Sequence, residues 1–400
     1  MKTKLHSHTP LNAASALRGA STRGGQKKAP VHLESPWRQP GQALRRDRSP
    51  VSGGSQVHGM LLRNAGIEPD RTIKSASVEA VKLNDAARRL YTMMLAQAPS
   101  PYTSLERSMA YSMKAAAAAV PLELIETLRA FATDPLAKGA LLIRGLPVDH
   151  QLPDTPWDGG RAVEKTTFVS EAVLLGLTQF LGHPFGFTAL KGGEIVHNIC
   201  PVRGSEGSQS NEGSERDFDF HIESAFSELR ADHLALFCLR SDHDGEAKTT
   251  LLSAQRAYER LAPEVQVELR KPHFVTVAPE SWKALHAEGK SSAPRPVVLG
   301  PEGMIELCAN LQSTRGTTPE AQAALEALGN VLRDPSLEEY VRLRPGDLLL
   351  VDNRKALHGR SVFKPRYDGQ DRWLQRVYTS GDLWEGRSET APSPRVRDRY

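Results

Sequence analysis

The chain reads as a mostly β protein with helices, an α+β fold in which a jelly roll or β-sandwich carries a helical N-terminal part. Three observations lead there. From about residue 190 onward, short strand-like runs alternate with Gly, Pro, Asn and Asp clusters, the mark of a many-stranded sandwich. Ahead of that region, apolar residues recur at helical spacing. No internal repeat is present, and 400 residues at 39% hydrophobic and 24% charged are enough for one large core.

The elements follow in chain order. Val78–Gln97 places Val81, Leu83, Ala86, Leu90, Met93 and Met94 at helical spacing and predicts a helix. Leu105–Thr133 predicts two more helices, broken at Pro121. Gly139–Val148, with its run Ala140-Leu141-Leu142-Ile143 ahead of Gly145 and Pro147, predicts a buried strand. Val169–Leu181 predicts an apolar helix closed by Gly182. The folded domain is expected over residues 75–385, between a tail at 1–59 and a C-terminal tail at 386–400.

Charge is distributed unevenly. Residues 1–59 carry ten Lys and Arg against Glu34 and Asp47, about +8 in a chain of net +4, so the remainder is about −4 by subtraction. Trp37 is the only aromatic of that segment, which predicts a disordered basic tail. Its acid-poor, Arg- and Ser-rich composition also fits an organellar transit peptide, and a start at Met60 would explain it as well. A mildly acidic body argues against nucleic acid as a partner, because phosphate backbones need clustered positive charge. Three scattered cysteines, Cys200, Cys238 and Cys308, fit a reducing compartment such as the cytoplasm. No apolar run approaches a membrane span or a secretory signal. Nothing in the sequence sets the oligomeric state.

Candidate chemistry concentrates in two short segments. The first is Asp217–Phe226, which holds His221-Ile222-Glu223. A His-x-acid pair is weak alone, since about 1.5 are expected by chance from this composition. Two others occur, His32 with Glu34 in the tail and His286 with Glu288 in a helical or loop stretch. On an extended segment, period two turns both side chains to one face, so His221 and Glu223 suit a shared metal ion. A buried His–Glu pair would satisfy the same pattern. The second segment, Leu343–Asn353, is a turn feeding a buried strand that delivers His358. Two histidines and one carboxylate from separate strands match the facial arrangement that leaves iron positions open, whereas structural zinc is closed and sulfur-rich.

Beyond His358, the segment Asp371–Tyr378 places Arg372, Leu374, Arg376 and Tyr378 on one strand face. Two inward arginines need carboxylate partners, which a dicarboxylic acid or an amino acid would supply. A polar loop over Glu280–Pro296 is a candidate lid.

The run His221–Phe226, the stretch Leu229–Asp242 and above all Gly346–Arg360 with Arg366–Gly369 and Asp371–Val377 resemble the clavaminate synthase-like branch of the TauD-type oxygenases, over roughly residues 75–385. Its bacterial arginine β-hydroxylases and asparagine oxygenases act on free amino acids. The resemblance implies a double-stranded β-helix, Fe(II) held by His221, Glu223 and His358, and 2-oxoglutarate and O2 as co-substrates. It implies that Arg372 binds the distal carboxylate of 2-oxoglutarate with Thr249, Thr250 being the competitor, and that Arg376 holds the substrate's α-carboxylate. The expected reaction is C3 or C4 hydroxylation of a free amino acid or close derivative. Desaturation or ring closure with the same cofactors is the alternative, and a non-catalytic jelly-roll binding protein is disfavoured by the full ligand set. Relatives acting on guanidinium substrates place an Asp about 46 residues before the second His. Here Gln312 stands at that offset, with Asn310 two residues back. If the pair shares a strand face, it offers a neutral pocket for a carboxamide or ureido side chain.

Overall fold

The computed structural model describes residues 66–399, except Lys74, 280–281 and 283–288. The basic tail at 1–59, the alternative start at Met60 and the His286–Glu288 pair lie outside the described residues. Among those described, no helix is long and apolar enough to cross a membrane.

The front of the domain differs from the expected run of helices. It opens with two strands, β1 (Ile67–Pro69) and β2 (Val78–Leu83), followed by α1 (Asp85–Leu95). Val81 and Leu83 bury one face of β2 and Val78 the other, and the strand runs parallel to β3 (Ala140–Arg144), Val78 pairing with Ala140. A partner some 60 residues downstream overrides the local helical spacing. The helix begins only at Asn84, whose side chain accepts from the Ala87 amide at 2.9 Å. That late start rotates the apolar face. Tyr91 and Leu95 are buried while Leu90, Met93 and Met94, expected inside, are exposed. Downstream, α2 (Leu105–Ala119) and α3 (Leu122–Thr133) do break at Pro121, and α4 (Val169–Thr178) is buried throughout.

The remaining strands complete two main sheets and add two two-stranded ones. After β4 (His183–Phe187) and β5 (His197–Ile199) come β6 (Phe218–His221), β7 (His233–Arg240) and β8 (Thr249–Ser253). Helices α5 (Ala254–Glu259) and α6 (Pro263–Leu269) precede the short strands β9 (Phe274–Thr276), β10 (Val298–Leu299), β11 (Glu306–Leu307) and β12 (Thr314–Gly316), and α7 (Pro319–Leu332) follows them. The chain finishes with β13 (Glu339–Val341), β14 (Leu348–Asp352), β15 (Ala356–Arg360), β16 (Trp373–Ser380) and β17 (Val396–Arg397). The larger main sheet runs β1-β2-β3-β14-β7-β16-β4-β17 with β5 also on β16, and the smaller runs β13-β8-β15-β6; the two-stranded ones are β10-β11 and β9-β12.

Alternation along the strands sorts the core into layers. Leu349, Val351, Leu374 and Tyr378 of the large sheet meet Leu251, Ala356 and Val341 of the small one, filling the jelly-roll interior. Trp373, Val377, Leu348 and Leu350 face the other way, under α1–α4. Leu252 and Leu357 on the outer face of the small sheet pack against α5, α6 and α7. The expected jelly roll with helices packed on it is the fold observed, with helices on both outer faces.

Both domain boundaries move outward. β1 begins at Ile67, ahead of residue 75. At the other end, residues 386–399 are not a free tail. Val396 and Arg397 pair with β4, and the Arg397 guanidinium donates to Ser380 Oγ and the Asp382 carbonyl at 3.0 Å while lying 4.0 Å above the Phe185 ring. Two residues of parallel pairing to a strand some 200 positions away leave no local pattern to read.

Candidate metal centre and substrate cavity

His221 closes β6, and β15 pairs antiparallel with it so that His358 lies opposite His221. Opposed residues of an antiparallel pair share a face, and the two rings stand 4.3 Å apart by centroid. Gly359 allows this closeness, because a Cβ there would collide with the Phe218 carbonyl and Thr250 Oγ1. The strand stops at His221, so Glu223 reaches the site from the turn that follows rather than from a continuing extended segment. Its carboxylate Oε2 lies 4.0 Å from His358 Nε2, and the three side chains offer ligand atoms within 4.8 Å of one another.

A residue that sequence reasoning missed fixes that turn. Asn353, fully buried at the end of β14, accepts from the Glu223 amide through Oδ1 at 2.8 Å. Its Nδ2 donates to the Glu223 carbonyl at 3.0 Å and to the Ala231 carbonyl at 2.9 Å. One carboxamide thus replaces the sheet partner that Glu223 lacks. Asn353→Ala is expected to weaken Fe(II) affinity about 10- to 100-fold, the usual cost of losing a group that orients a ligand, as read by metal titration.

The donor set fits a divalent iron. His221 Nδ1 donates to the Asp219 carbonyl at 2.9 Å, which leaves Nε2 as the lone-pair nitrogen. Burial lowers the pKa of His221, opposed by the Glu223 charge, and burial lowers that of His358 further, with His221 and Arg376 adding to the shift. Neutral imidazoles are the form that binds metal. His358 Nδ1 is buried without a hydrogen-bond partner among the described residues. A second His–Asp–Asp group, His243 with Asp368 and Asp371, has other duties. Its carboxylates accept from the Gln370 and Arg366 amides at 2.9 and 2.7 Å, so the group braces the turn ahead of Arg372.

The two arginines of β16 and its approach take different places. Arg376 faces the interior with Leu374 and Tyr378, as the period-two reading expects, and its Nη1 lies 3.4 Å from Glu223 Oε2. Its Nη2 donates to His197 Nδ1 at 3.2 Å, while His197 Nε2 donates to the Glu194 carbonyl at 2.8 Å. The carbonyl can only accept, so the tautomer of His197 is set and Nδ1 is free to hold Arg376. Burial, with Arg376 beside it, pushes the His197 pKa down to about 3. His197 therefore stays neutral and orients the guanidinium.

Arg372 sits one residue before β16. It is buried, lies 5.7 Å over the Phe363 ring, and has no hydrogen bond or ion pair to any described residue. Arg360 is close by; burial and then the Arg372 charge lower its pKa to about 10, and its Nη2 donates to the Arg216 carbonyl at 3.0 Å. An unpaired buried guanidinium is costly, and a carboxylate ligand would relieve it. Register separates the two threonines. Thr249 opposes Arg360 and shares the interior face with His358, whereas Thr250 opposes Gly359 and faces outward.

The neutral-pocket expectation needs correction. Asn310 and Gln312 do not share a strand face, because residues 311–313 form a turn in which Asn310 Oδ1 accepts from the Gln312 amide at 3.1 Å. Gln312 is exposed and donates to Asp219 Oδ2 at 2.8 Å, outside the cavity. Asn310 alone lines it. The cavity measures about 350 Å³ and is bounded by His221, Glu223, Arg376, His197, Asn310 and Trp282, large enough for an amino acid. Arg372 and Thr249 lie on the interior face beyond His358 rather than in this cavity. Trp282, the described part of the candidate lid's first half, is clasped edge-on between Phe187 and Phe226, each 4.7 Å away. The second half is tied down through Val277–Ser291 and Phe274–Arg295 bridges.

With a jelly roll and an inward His–Glu–His site in place, comparison with known proteins is decisive for class. The model of the taurine catabolism dioxygenase TauD, TfdA family matches residues 119–378, and the chain belongs to that family. It is 38% identical over 269 residues to an L-asparagine oxygenase of Streptomyces coelicolor, covering 67% of this chain and 79% of that one. It is 35% identical to an L-lysine 3-hydroxylase of Catenulispora acidiphila, over 70% of this chain and 78% of the relative. A crystal structure of asparagine oxygenase with Fe(II), 3-hydroxyasparagine and succinate superposes with a TM-score of 0.70 at 34% identity, covering 80% of this chain and 98% of that one.

Proposed function

We propose that this protein is an Fe(II)- and 2-oxoglutarate-dependent dioxygenase that hydroxylates a free amino acid or close derivative at C3 or C4. The observation that carries the reading is the convergence of His221, Glu223 and His358 between two differently occupied arginines. His221, Glu223 and His358 would hold the iron, a two-histidine, one-carboxylate set suited to a metal that also takes a co-substrate. When bound, iron with 2-oxoglutarate and O2 supplies an oxidative decarboxylation to succinate and CO2 that delivers one oxygen atom to an unactivated C–H bond. Arg372, with the Thr249 hydroxyl on the same interior face, takes the distal carboxylate of 2-oxoglutarate. Arg376, steered by His197, takes the α-carboxylate of the amino acid and so fixes which carbon faces the metal. Trp282 and the aromatic side chains clasping it keep water from the reacting bond.

The test is succinate release across a panel of amino acids, followed by mass spectrometry of the products. The expected result is iron-dependent succinate with a gain of one oxygen on at least one amino acid. Loss of two hydrogens would replace hydroxylation by desaturation, and no iron-dependent succinate with any substrate would sink the enzyme reading.

A further inference from the structure

Among the described residues, four charged side chains besides the histidines line the cavity: Arg376, Lys191, Glu212 and Glu223. On the function proposed above, Glu223 goes to the metal and Arg376 to the substrate carboxylate. Lys191 and Glu212 remain, and they are engaged with each other, Nζ to Oε1 at 3.2 Å. Glu194, the next acid along from Lys191, is paired with Arg161 at 2.8 Å and offers no competing partner.

The lysine is held in an unusual backbone. Its φ is 48°, in the left-handed region that a side-chain-bearing residue rarely adopts, and Gly192 and Gly193 follow at 65° and 88°. Such a conformation persists where the surroundings impose it, and here it aims an ammonium at the cavity wall. Lys191 lines the same cavity as Arg376 and His197. Apart from Glu223, which goes to the metal, the described lining therefore carries two cations and a single carboxylate, already in use.

We propose that Lys191 is a specificity-determining residue. It occupies Glu212 as a built-in cation, so that the enzyme selects an amino acid whose side chain ends in a neutral amide or ureido group and rejects lysine, ornithine or arginine. This rests on the function proposed above. A carboxamide complements the pair, its oxygen accepting from the Lys191 ammonium and its NH2 donating to the Glu212 carboxylate. A cationic side chain meets no free carboxylate among the described residues and must displace Lys191 or lie beside it. The pair is partly exposed, at 34% and 39%, so water screens it. Ligand entry expels that water and sharpens the discrimination.

The experiment is calorimetric titration of the full chain, loaded anaerobically with Fe(II) and 2-oxoglutarate, with asparagine, glutamine and citrulline against lysine, ornithine and arginine. The unmodified protein is expected to favour the neutral group by about tenfold or more. Lys191→Met frees Glu212 and is expected to move that ratio about tenfold toward the cations. Adding Glu212→Gln to it should erase the gain. A ratio unmoved by Lys191→Met, or native preference for a cationic side chain, overturns the proposal while leaving the hydroxylase reading intact. Failure of all six to bind a protein that still takes up iron and 2-oxoglutarate overturns both.

Discussion

Replacing either His221 or His358 by alanine is expected to abolish stoichiometric Fe(II) binding and, with it, 2-oxoglutarate turnover. The two imidazoles are opposed across one strand pair, and no other described side chain stands ready to substitute for either. The loss should exceed the 10- to 100-fold typical of groups that merely orient a ligand, such as Asn353. Metal analysis after dialysis and succinate release report the two effects separately. The fold should survive, because both side chains face the cavity region rather than the packed layers. Near-native iron content in either variant would remove that histidine from the metal centre.

Arg372→Ala and Arg376→Ala are expected to separate the two ligands. Arg372 has no hydrogen bond or ion pair to any described residue and sits beyond His358, so its loss should raise the KM for 2-oxoglutarate with little effect on affinity for the amino acid. Arg376 touches Glu223 and His197 inside the substrate cavity, and its loss should chiefly weaken the amino acid. Losing one buried charge-assisted contact costs about 2–5 kcal/mol, which is roughly 30-fold to a few thousandfold in affinity. Initial rates with each ligand varied in turn measure the split. Equal effects of both substitutions on both ligands would dissolve the assignment.

The parts of the molecule that were legible in the sequence share a physical cause. His221, His358 and Arg376 announce themselves because a catalytic strand interior needs polar residue types where a core would be apolar, at spacings that period-two geometry can test, whereas Glu223 is found by its nearness to His221 although a turn, not a strand face, presents it. Pro121 and Gly182 mark their breaks for equally local reasons. What stayed hidden depends on partners far along the chain. Val78–Leu83 is a strand only because β3 lies beside it, and Val396–Arg397 only because β4 does. Asn310 and Gln312 part company because one side-chain oxygen caps a turn, which a strand pattern does not foresee. Asn353 and His197 act through backbone and guanidinium contacts, so residue type alone gives no sign of them; a fully buried amide at a strand end was the available clue.

The side chains assigned to chemistry and those assigned to choice stand on different kinds of backbone. His221, His358 and Arg376 are set into paired strands, and Glu223 is gripped from β14, so they share the rigidity of the sandwich. Lys191 and Glu212 project from turns and connecting segments, where substitution and insertion disturb little else. A lineage built on this plan is free to change its diet without relearning how to oxidise, since a few loop replacements alter what is admitted while the reacting centre is inherited unchanged.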